Sequence, residues 1–352
     1  MSAPLHDLPR RQFLVGDAVK QLRRLPEAGV DCVITSPPYW AQRDYGVPGQ
    51  IGAEPNIGQW VAELVGVAAE LRRVLKATGA LWLNVGDGYS RHPRDGAPKK
   101  SLLLGPQRLS LALAADGWLV RNVAVWAKRN PLPASVGDRL SNTYETVLFL
   151  TRQRDYYFDL DAIRVSASTP PRRPGRIVRP LYPPPDAVPY REHTPRVDLN
   201  HGLAELRASG QESHPLGKNP GDVWHLATAA YRGAHFAVFP ADLVARPLLA
   251  TCPERLCTDC GTPWQRARQR RDGRLLAIGP LQPDCACHTG WVPGVVLDPF
   301  MGSGTTAVVA EAHGRDWVGI ELNPAYVDLA ERRLAAARGQ PGTGSAGPEN
   351  NA

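Results

Sequence analysis

The chain has 352 residues, 43% of them apolar and 21% charged, enough for one large α/β domain or one domain plus a small insert. Lys plus Arg number 41 against 34 Asp plus Glu, a formal +7 that permits an anionic partner without requiring one. This excludes a fibre, a fully disordered chain and a membrane protein, because no stretch approaches the roughly 18 apolar residues needed to span a bilayer.

The amino-terminal MSAPLHDLPRRQ is polar and proline-broken, so no secretory signal is expected and a cytoplasmic location is. From Phe13 to about Arg164, apolar runs alternate with helical patterns. VDCVIT (30–35) is a β-branched run expected to be a buried strand. WVAELVGVAAELRRVLKATG (60–79) has helical spacing and reads as a helix capped at Gly79. ALWLNVGD (80–87), NVAVWAK (122–128) and YETVLFLTR (144–152) read as strands, and 101–117 as a helix interrupted near Gly105-Pro106. Strands alternating with helices imply a parallel sheet covered on both faces. Between about Val165 and Pro220 the pattern collapses into proline and arginine, either a linker or an irregular binding element. GDVWHLAT (221–228) restores order, and 239–250 reads as a short helix. Then follow a cysteine-rich segment, a strand at 294–300, a helix at 305–314, a strand at 316–322 and an amphipathic helix at 324–338. The small, polar residues of 339–352 read as a disordered tail.

Two loops carry the chemistry. Asp298-Pro299-Phe300-Met301-Gly302-Ser303-Gly304-Thr305-Thr306 joins an expected strand to an expected helix. Its glycines let a ligand approach the backbone, beside the free N–H groups of a helix start. Glu321, at the end of the next strand, can accept from ribose hydroxyls, so the pair suggests an adenosine-containing cofactor. Taken alone, without the glycine turn, Glu321 reads better as a solvated strand end. Thr35-Ser36-Pro37-Pro38-Tyr39-Trp40 follows the strand VDCVIT. The prolines stiffen the loop and remove two N–H donors, leaving acceptors and a rigid aromatic to meet a flat, amine-bearing ring. Taken alone, the loop also fits plain packing of its aromatics into the core.

In this combination and order the chain resembles the DNA amino-methyltransferases, which methylate the exocyclic amine of cytosine or adenine using S-adenosylmethionine. DPFMGSGTT (298–306) is similar to the family's cofactor motif and TSPPYW (35–40) to its catalytic motif. The catalytic motif comes first, the circularly permuted order of the family's β group. The likeness extends through LWLNVGDGY (81–89), 126–152, YYFDLDAIR (156–164), GDVWHL (221–226) and HFAVFPADL (235–243), leaving out roughly 166–218 and the cysteine segment.

The resemblance implies an S-adenosylmethionine-dependent methyltransferase (Rossmann-like) fold, a doubly wound, mostly parallel sheet with a small zinc-ribbon-like insert. The expected organisation is a catalytic half (1–165), a Pro/Arg-rich target-recognition region (166–220), a return to the core (221–251), a zinc-binding insert (252–290), a cofactor-binding half (291–338) and the tail (339–352). Ser36 and the carbonyl of Pro37 would accept from the target amine, Pro38 would stiffen the loop, and Tyr39 would stack on a base flipped from the duplex. Transfer would be direct, with no covalent enzyme intermediate. Asp298, Phe300, Gly302, Ser303, Gly304 and Thr305 would shape the cofactor pocket, and Glu321 would hold the ribose. Asp17 would lie near the adenine amine, and Phe239 would close the methionine end. The partner implied is double-stranded DNA, with a cognate restriction endonuclease acting separately or a solitary role. Ser36 favours cytosine N4 over adenine N6, because the adenine enzymes tend to carry Asp or Asn at that place.

Cys257, Cys260, Cys285 and Cys287 form a C-x-x-C-G knuckle and a C-x-C pair, four thiolates suited to structural zinc. His288 and Cys252 are alternates; the competing readings are chance clustering and a redox C-x-x-C, which lacks a thioredoxin-like βαβ context. The intervening WQRARQRRDGR (264–274) is basic and suits phosphate or plain solvent. Cys32 reads as a small core residue. A non-catalytic zinc-containing DNA-binding protein leaves both intact loops without a purpose. A dehydrogenase leaves TSPPYW unexplained, and peptide-glutamine methyltransferases place the cofactor motif first.

Overall fold

A computed structural model describes residues 8–166, 214–228, 239–271 and 274–339. In chain order its elements are β1 (Gln12–Val15), α1 (Ala18–Leu22), β2 (Val30–Thr35), α2 (Ile57–Val74), β3 (Leu75–Val85), α3 (Gly105–Ala115), β4 (Leu119–Lys128), β5 (Tyr144–Thr151), β6 (Val223–Leu226), α4 (Ala241–Thr251), β7 (Leu256–Cys257), β8 (Gln265–Arg271), β9 (Arg274–Gln282), β10 (Trp291–Val292), β11 (Val295–Asp298), α5 (Thr305–Ala312), β12 (Asp316–Glu321) and α6 (Pro324–Gly339).

The described residues divide into two compact units. One comprises 8–163, 221–228, 239–264 and 283–339, and the other 164–166, 214–220, 265–271 and 274–282. The first is built on an eight-stranded sheet of order β1-β12-β11-β2-β3-β5-β4-β6. Its neighbours run parallel except where β5 sits antiparallel between β3 and β4. The doubly wound, mostly parallel sheet expected from the sequence is therefore present, with one reversed strand. β5 follows β4 through residues 129–143, with no helix to carry the chain back across the sheet, so it returns beside β4 as an antiparallel neighbour.

Alternation along the strands feeds two cores. Leu81, Leu83 and Val85 pack with Trp60, Leu64 and Leu71 of α2. Ala80 and Trp82 point the other way, among Leu243, Val244 and Leu248 of α4 and Ala307 and Ala310 of α5. Trp82 stacks on Phe149 of β5 with ring centroids 4.0 Å apart. Every residue of β2 is buried, as a central strand covered on both faces requires. Cys32 is wholly buried there, its Sγ 3.1 Å from Thr251 Oγ1, and burial pushes its thiol up to about 12. It is a core residue, as read.

Several boundaries differ from the sequence reading. α2 begins at Ile57, because Asn56 caps it by accepting from the Gln59 N–H at 3.0 Å, and it ends at Val74. Gly79 is thus no helix cap. It lies inside β3, where an added Cβ would sit 2.8 Å from the Asp31 carbonyl. α3 begins only at Gly105, because Leu104 takes a left-handed φ of 56° and Pro106 sits in the first turn.

In the second unit β8 and β9 form an antiparallel hairpin, and Val165 bridges Lys218. Most of the expected recognition region, 167–213, lies outside the described residues, as does the tail beyond Gly339. No helix among the described residues is long and apolar enough to cross a membrane.

Candidate active site

β11 and β2 are parallel neighbours, with Val296 beside Cys32 and Leu297 beside Val33. The glycine turn and the Ser-Pro-Pro-Tyr loop therefore leave the same edge of the sheet side by side, although they are far apart in sequence. β1 and β12 end level with each other, Val15 beside Glu321, and the Gly16 N–H donates to the Glu321 carbonyl at 2.8 Å. Ligands of open α/β sheets sit at such carboxyl-end crevices.

A pocket opens there. Its wall includes Asp17, Ser36, Pro38, Phe300, Gly302, Ser303 and Glu321 from the sequence-derived set, with Tyr45, Ile51 and Tyr326. Asp17 caps α1, accepting from the Lys20 N–H at 2.9 Å. Glu321 spans the rim: Oε2 accepts from the Gly302 N–H and Oε1 from the Asn323 N–H, each at 2.8 Å. Burial raises its carboxyl above the ordinary carboxylate value.

The turn needs both glycines. Gly302 has φ 52° and open space where a Cβ would point. Gly304, at φ 81°, lies against α6, so a Cβ would meet the Ala330 Cβ at 2.7 Å. Thr305 starts α5, and Arg333 donates to the Ser303 hydroxyl at 2.6 Å, tying α6 to the turn.

Six expected residues stand elsewhere than on the pocket wall: Pro37, Tyr39, Phe239, Asp298, Gly304 and Thr305. Asp298 is fully buried beneath the turn. Its Oδ1 accepts from the Thr35 hydroxyl at 2.5 Å and the Phe300 N–H at 3.0 Å, and its Oδ2 from the Thr306 hydroxyl at 2.7 Å. Burial pushes its carboxyl up to about 6. It joins β2 to the glycine turn from below. Phe239 lines a small separate cavity with Thr35, Asn84 and Leu243. Tyr39 lies behind Ser36, its ring edge fitted against Gly86, where a Cβ would meet Tyr39 Cε2 at 2.6 Å.

Behind Ser36 lies a polar network that sequence reasoning missed. Lys128 Nζ donates to Glu145 Oε1 at 2.7 Å. Glu145 Oε2 accepts from the Tyr39 hydroxyl and from Asn84 Nδ2, both at 2.7 Å. Asn84 also donates to the Tyr39 oxygen at 2.9 Å, and Ser36 Oγ lies 3.1 Å from it. Burial and the adjacent Glu145 raise the Tyr39 hydroxyl well above its ordinary value, so it stays a donor. Its one proton goes to Glu145. The Ser36 hydroxyl must then donate to Tyr39, which leaves the Ser36 lone pairs as acceptors at the pocket. The Trp60 indole holds the Pro38 carbonyl at 2.9 Å, and Trp40 holds the Glu54 carbonyl at 2.8 Å, which fixes the loop. Glu145 and Lys128 were visible only as members of strand-like runs.

The four cysteines of the insert also come together, in the same unit. Their Sγ atoms lie within 4.8 Å of one another. Cys252 is instead buried in the core at the end of α4, and His288 is outside the cluster.

Comparison with known proteins agrees with this geometry. The family model described as DNA methylase (N6_N4_Mtase) matches residues 30–332. Type II methyltransferase M.Cfr9I of Citrobacter freundii is 33% identical over 355 residues, covering 95% of this chain and 90% of that protein. Type II methyltransferase M.SmaI of Serratia marcescens is 33% identical over 348 residues, covering 93% and 91%. In fold, the chain matches the cytosine-N4-specific PvuII DNA methyltransferase at a TM-score of 0.56 and 17% identity, over 98% of this chain and 91% of that one. With a catalytic-type loop and a cofactor-type turn on adjacent strands, and these relatives along nearly its whole length, the chain belongs to the N6/N4 DNA methylase family and is a DNA methyltransferase.

Proposed function

We propose that this protein methylates the N4 amine of cytosine in duplex DNA, with S-adenosylmethionine as donor and the base turned out of the helix. The observation that carries the reading is the orientation of Ser36: its proton is drawn to Tyr39, so its lone pairs are presented at the pocket. Ser before Pro37-Pro38 favours cytosine over adenine.

The pocket suits the cofactor by its donor set and shape. Apolar walls from Phe300, Ile51 and Tyr326 fit a flat adenine, and Glu321 and Asp17 offer carboxylates to hydroxyl and amine groups. The open space above Gly302 admits a ligand against the backbone. Bound there, S-adenosylmethionine supplies an already activated sulfonium methyl group. What remains for the protein is positioning.

An exocyclic amine is a poor nucleophile because its lone pair is delocalised into the ring. Ser36 Oγ and the Pro37 carbonyl accept its two N–H protons, drawing the nitrogen toward tetrahedral geometry and freeing the lone pair. Glu145 sets the direction of this donor chain, and Lys128 holds its other oxygen in place. Tyr39 supplies an aromatic face for the base.

The test is transfer of labelled methyl to duplex DNA, followed by digestion to nucleosides. N4-methylcytosine is the expected product. N6-methyladenine alone would overturn the base assignment.

A further inference from the structure

The insert between α4 and β11 has little apolar material with which to hold its shape. Its strands within the first unit, β7 and β10, are two residues each, paired as Trp291 beside Cys257 and Val292 beside Leu256. Arg255 lies over the rings of both Trp264 and Trp291, 5.2 and 4.7 Å from their centroids. Elements this small fold only with a staple.

The staple is present as a set of four thiols. Cys257-Thr258-Asp259-Cys260-Gly261 makes a tight knuckle: the Gly261 N–H donates to the Cys257 carbonyl at 3.0 Å, and Gly261 takes the left-handed φ of 69° the turn requires. The Thr258 N–H reaches the Gly290 carbonyl at 3.1 Å, which brings the second cysteine pair alongside. All four sulfurs then converge within 4.8 Å, and none is in a disulfide. Four sulfurs each about 2.3 Å from one tetrahedral ion stand about 3.8 Å apart, so the cluster needs only a small contraction to close on a metal.

We propose that Cys257, Cys260, Cys285 and Cys287 bind one structural zinc ion. Four thiolates fill the tetrahedron and leave no position for water or substrate, so the site takes no part in methyl transfer. Binding releases protons from the thiols and joins the Cys257-Cys260 knuckle to the Cys285-Cys287 pair. The binding free energy is folding free energy for the insert.

The test is metal analysis of full-length protein purified without chelators. One zinc per chain is expected. A mercurial thiol reagent with a zinc-sensitive dye should then release that zinc as the four clustered thiols react, before the buried Cys32 and Cys252 do. Hydrogen exchange on the zinc-depleted protein should lose protection in 252–294 while β11 and β12 keep theirs. Cys252→Ala should retain the zinc, and Cys257→Ser with Cys260→Ser should lose it. Metal-free native protein, iron in place of zinc, or a disulfide within the cluster would each overturn the proposal, whatever the double variant does on folding.

Discussion

The Tyr39 hydroxyl lies 2.7 Å from Glu145 Oε2, joining the loop after β2 to the one reversed strand of the sheet. This contact decides where the Tyr39 proton goes, and so whether Ser36 presents a proton or lone pairs to the target amine. Glu145→Gln keeps the shape but places an amide where the acceptor was. Its N–H₂ can donate to Tyr39, and the donor chain can then run backwards. Methyl transfer is expected to fall roughly a hundredfold, the scale of a misplaced reacting group. The affinity for S-adenosylmethionine should stay within about twofold, because Glu145 is not on the cofactor pocket wall. Single-turnover transfer and calorimetric cofactor binding separate the two. Equal loss of both would show that Glu145 supports the fold and not the donor chain.

Tyr39→Ala removes the aromatic face as well as the hydroxyl. Base stacking on an aromatic contributes about 1–3 kcal/mol, so transfer should fall by roughly 5- to 150-fold from this alone. Cofactor binding should again stand, as Tyr39 lies behind Ser36. Tyr39→Phe restores the face and leaves Ser36 without its acceptor. Its activity should lie between wild type and Tyr39→Ala. If Tyr39→Phe matched Tyr39→Ala, the stacking role would fall and the hydroxyl alone would matter.

How much of this was legible in the sequence follows from the range of the contacts. β2, α4, α5 and β12 were readable within a residue or two, because apolar period and turn residues are local signals. The two loops were legible as motifs, since Gly302, Gly304 and Pro37-Pro38 encode backbone geometry directly. The reversal of β5 was not, because direction in a sheet depends on the partner strand and not on the strand's own composition. For the same reason Glu145 was invisible: a lone carboxylate in YETVLFLTR gains meaning only when β5 sits beside β3 and brings it to Asn84 and Tyr39. Asp298 was found but differently placed. Its position at a strand end suggested a pocket residue, whereas the fold buries it under the turn with three hydrogen bonds.

The two glycines of the turn should respond differently to a methyl group. Gly304→Ala drives a Cβ to 2.7 Å from that of Ala330 and holds alanine at φ 81°. Strain and overpacking together should cost about 2–4 kcal/mol in urea unfolding. Gly302→Ala meets no atom closer than 3.9 Å, so its stability cost should be only about 1–2 kcal/mol, that of the left-handed backbone. Its methyl occupies the open space proposed for the cofactor. Its main effect should therefore be weaker cofactor binding. Unchanged binding in Gly302→Ala would move the cofactor away from this turn.

Asp298 gives the site a pH dependence whose sign can be worked out. In the fold its carboxyl takes up a proton near 6, against an ordinary value of 3.8, so burial penalises the charged form by about 3 kcal/mol. Between those two values the folded chain binds a proton that the unfolded chain does not. This group's contribution to stability is therefore present at low pH and is lost as the pH rises through about 6. Binding should run the other way. Above 6 the carboxylate accepts from Thr35, Thr306 and the Phe300 N–H, and all three contacts shape the turn. Once protonated, Oδ2 becomes a donor and the Thr306 hydroxyl must turn round to accept from it, so the turn loses the charge-assisted bonds of the carboxylate. Cofactor affinity should then be level above pH 7 and fall as the pH drops through about 6. Asp298→Asn should flatten that step, at the cost of weaker binding throughout, because a neutral amide makes weaker bonds to the turn than a carboxylate does. Calorimetry from pH 5.5 to 8 on both proteins reads the difference. A step that survives in Asp298→Asn would pass the assignment to Glu321, whose carboxyl burial also raises and which holds the Gly302 N–H from the opposite side of the turn.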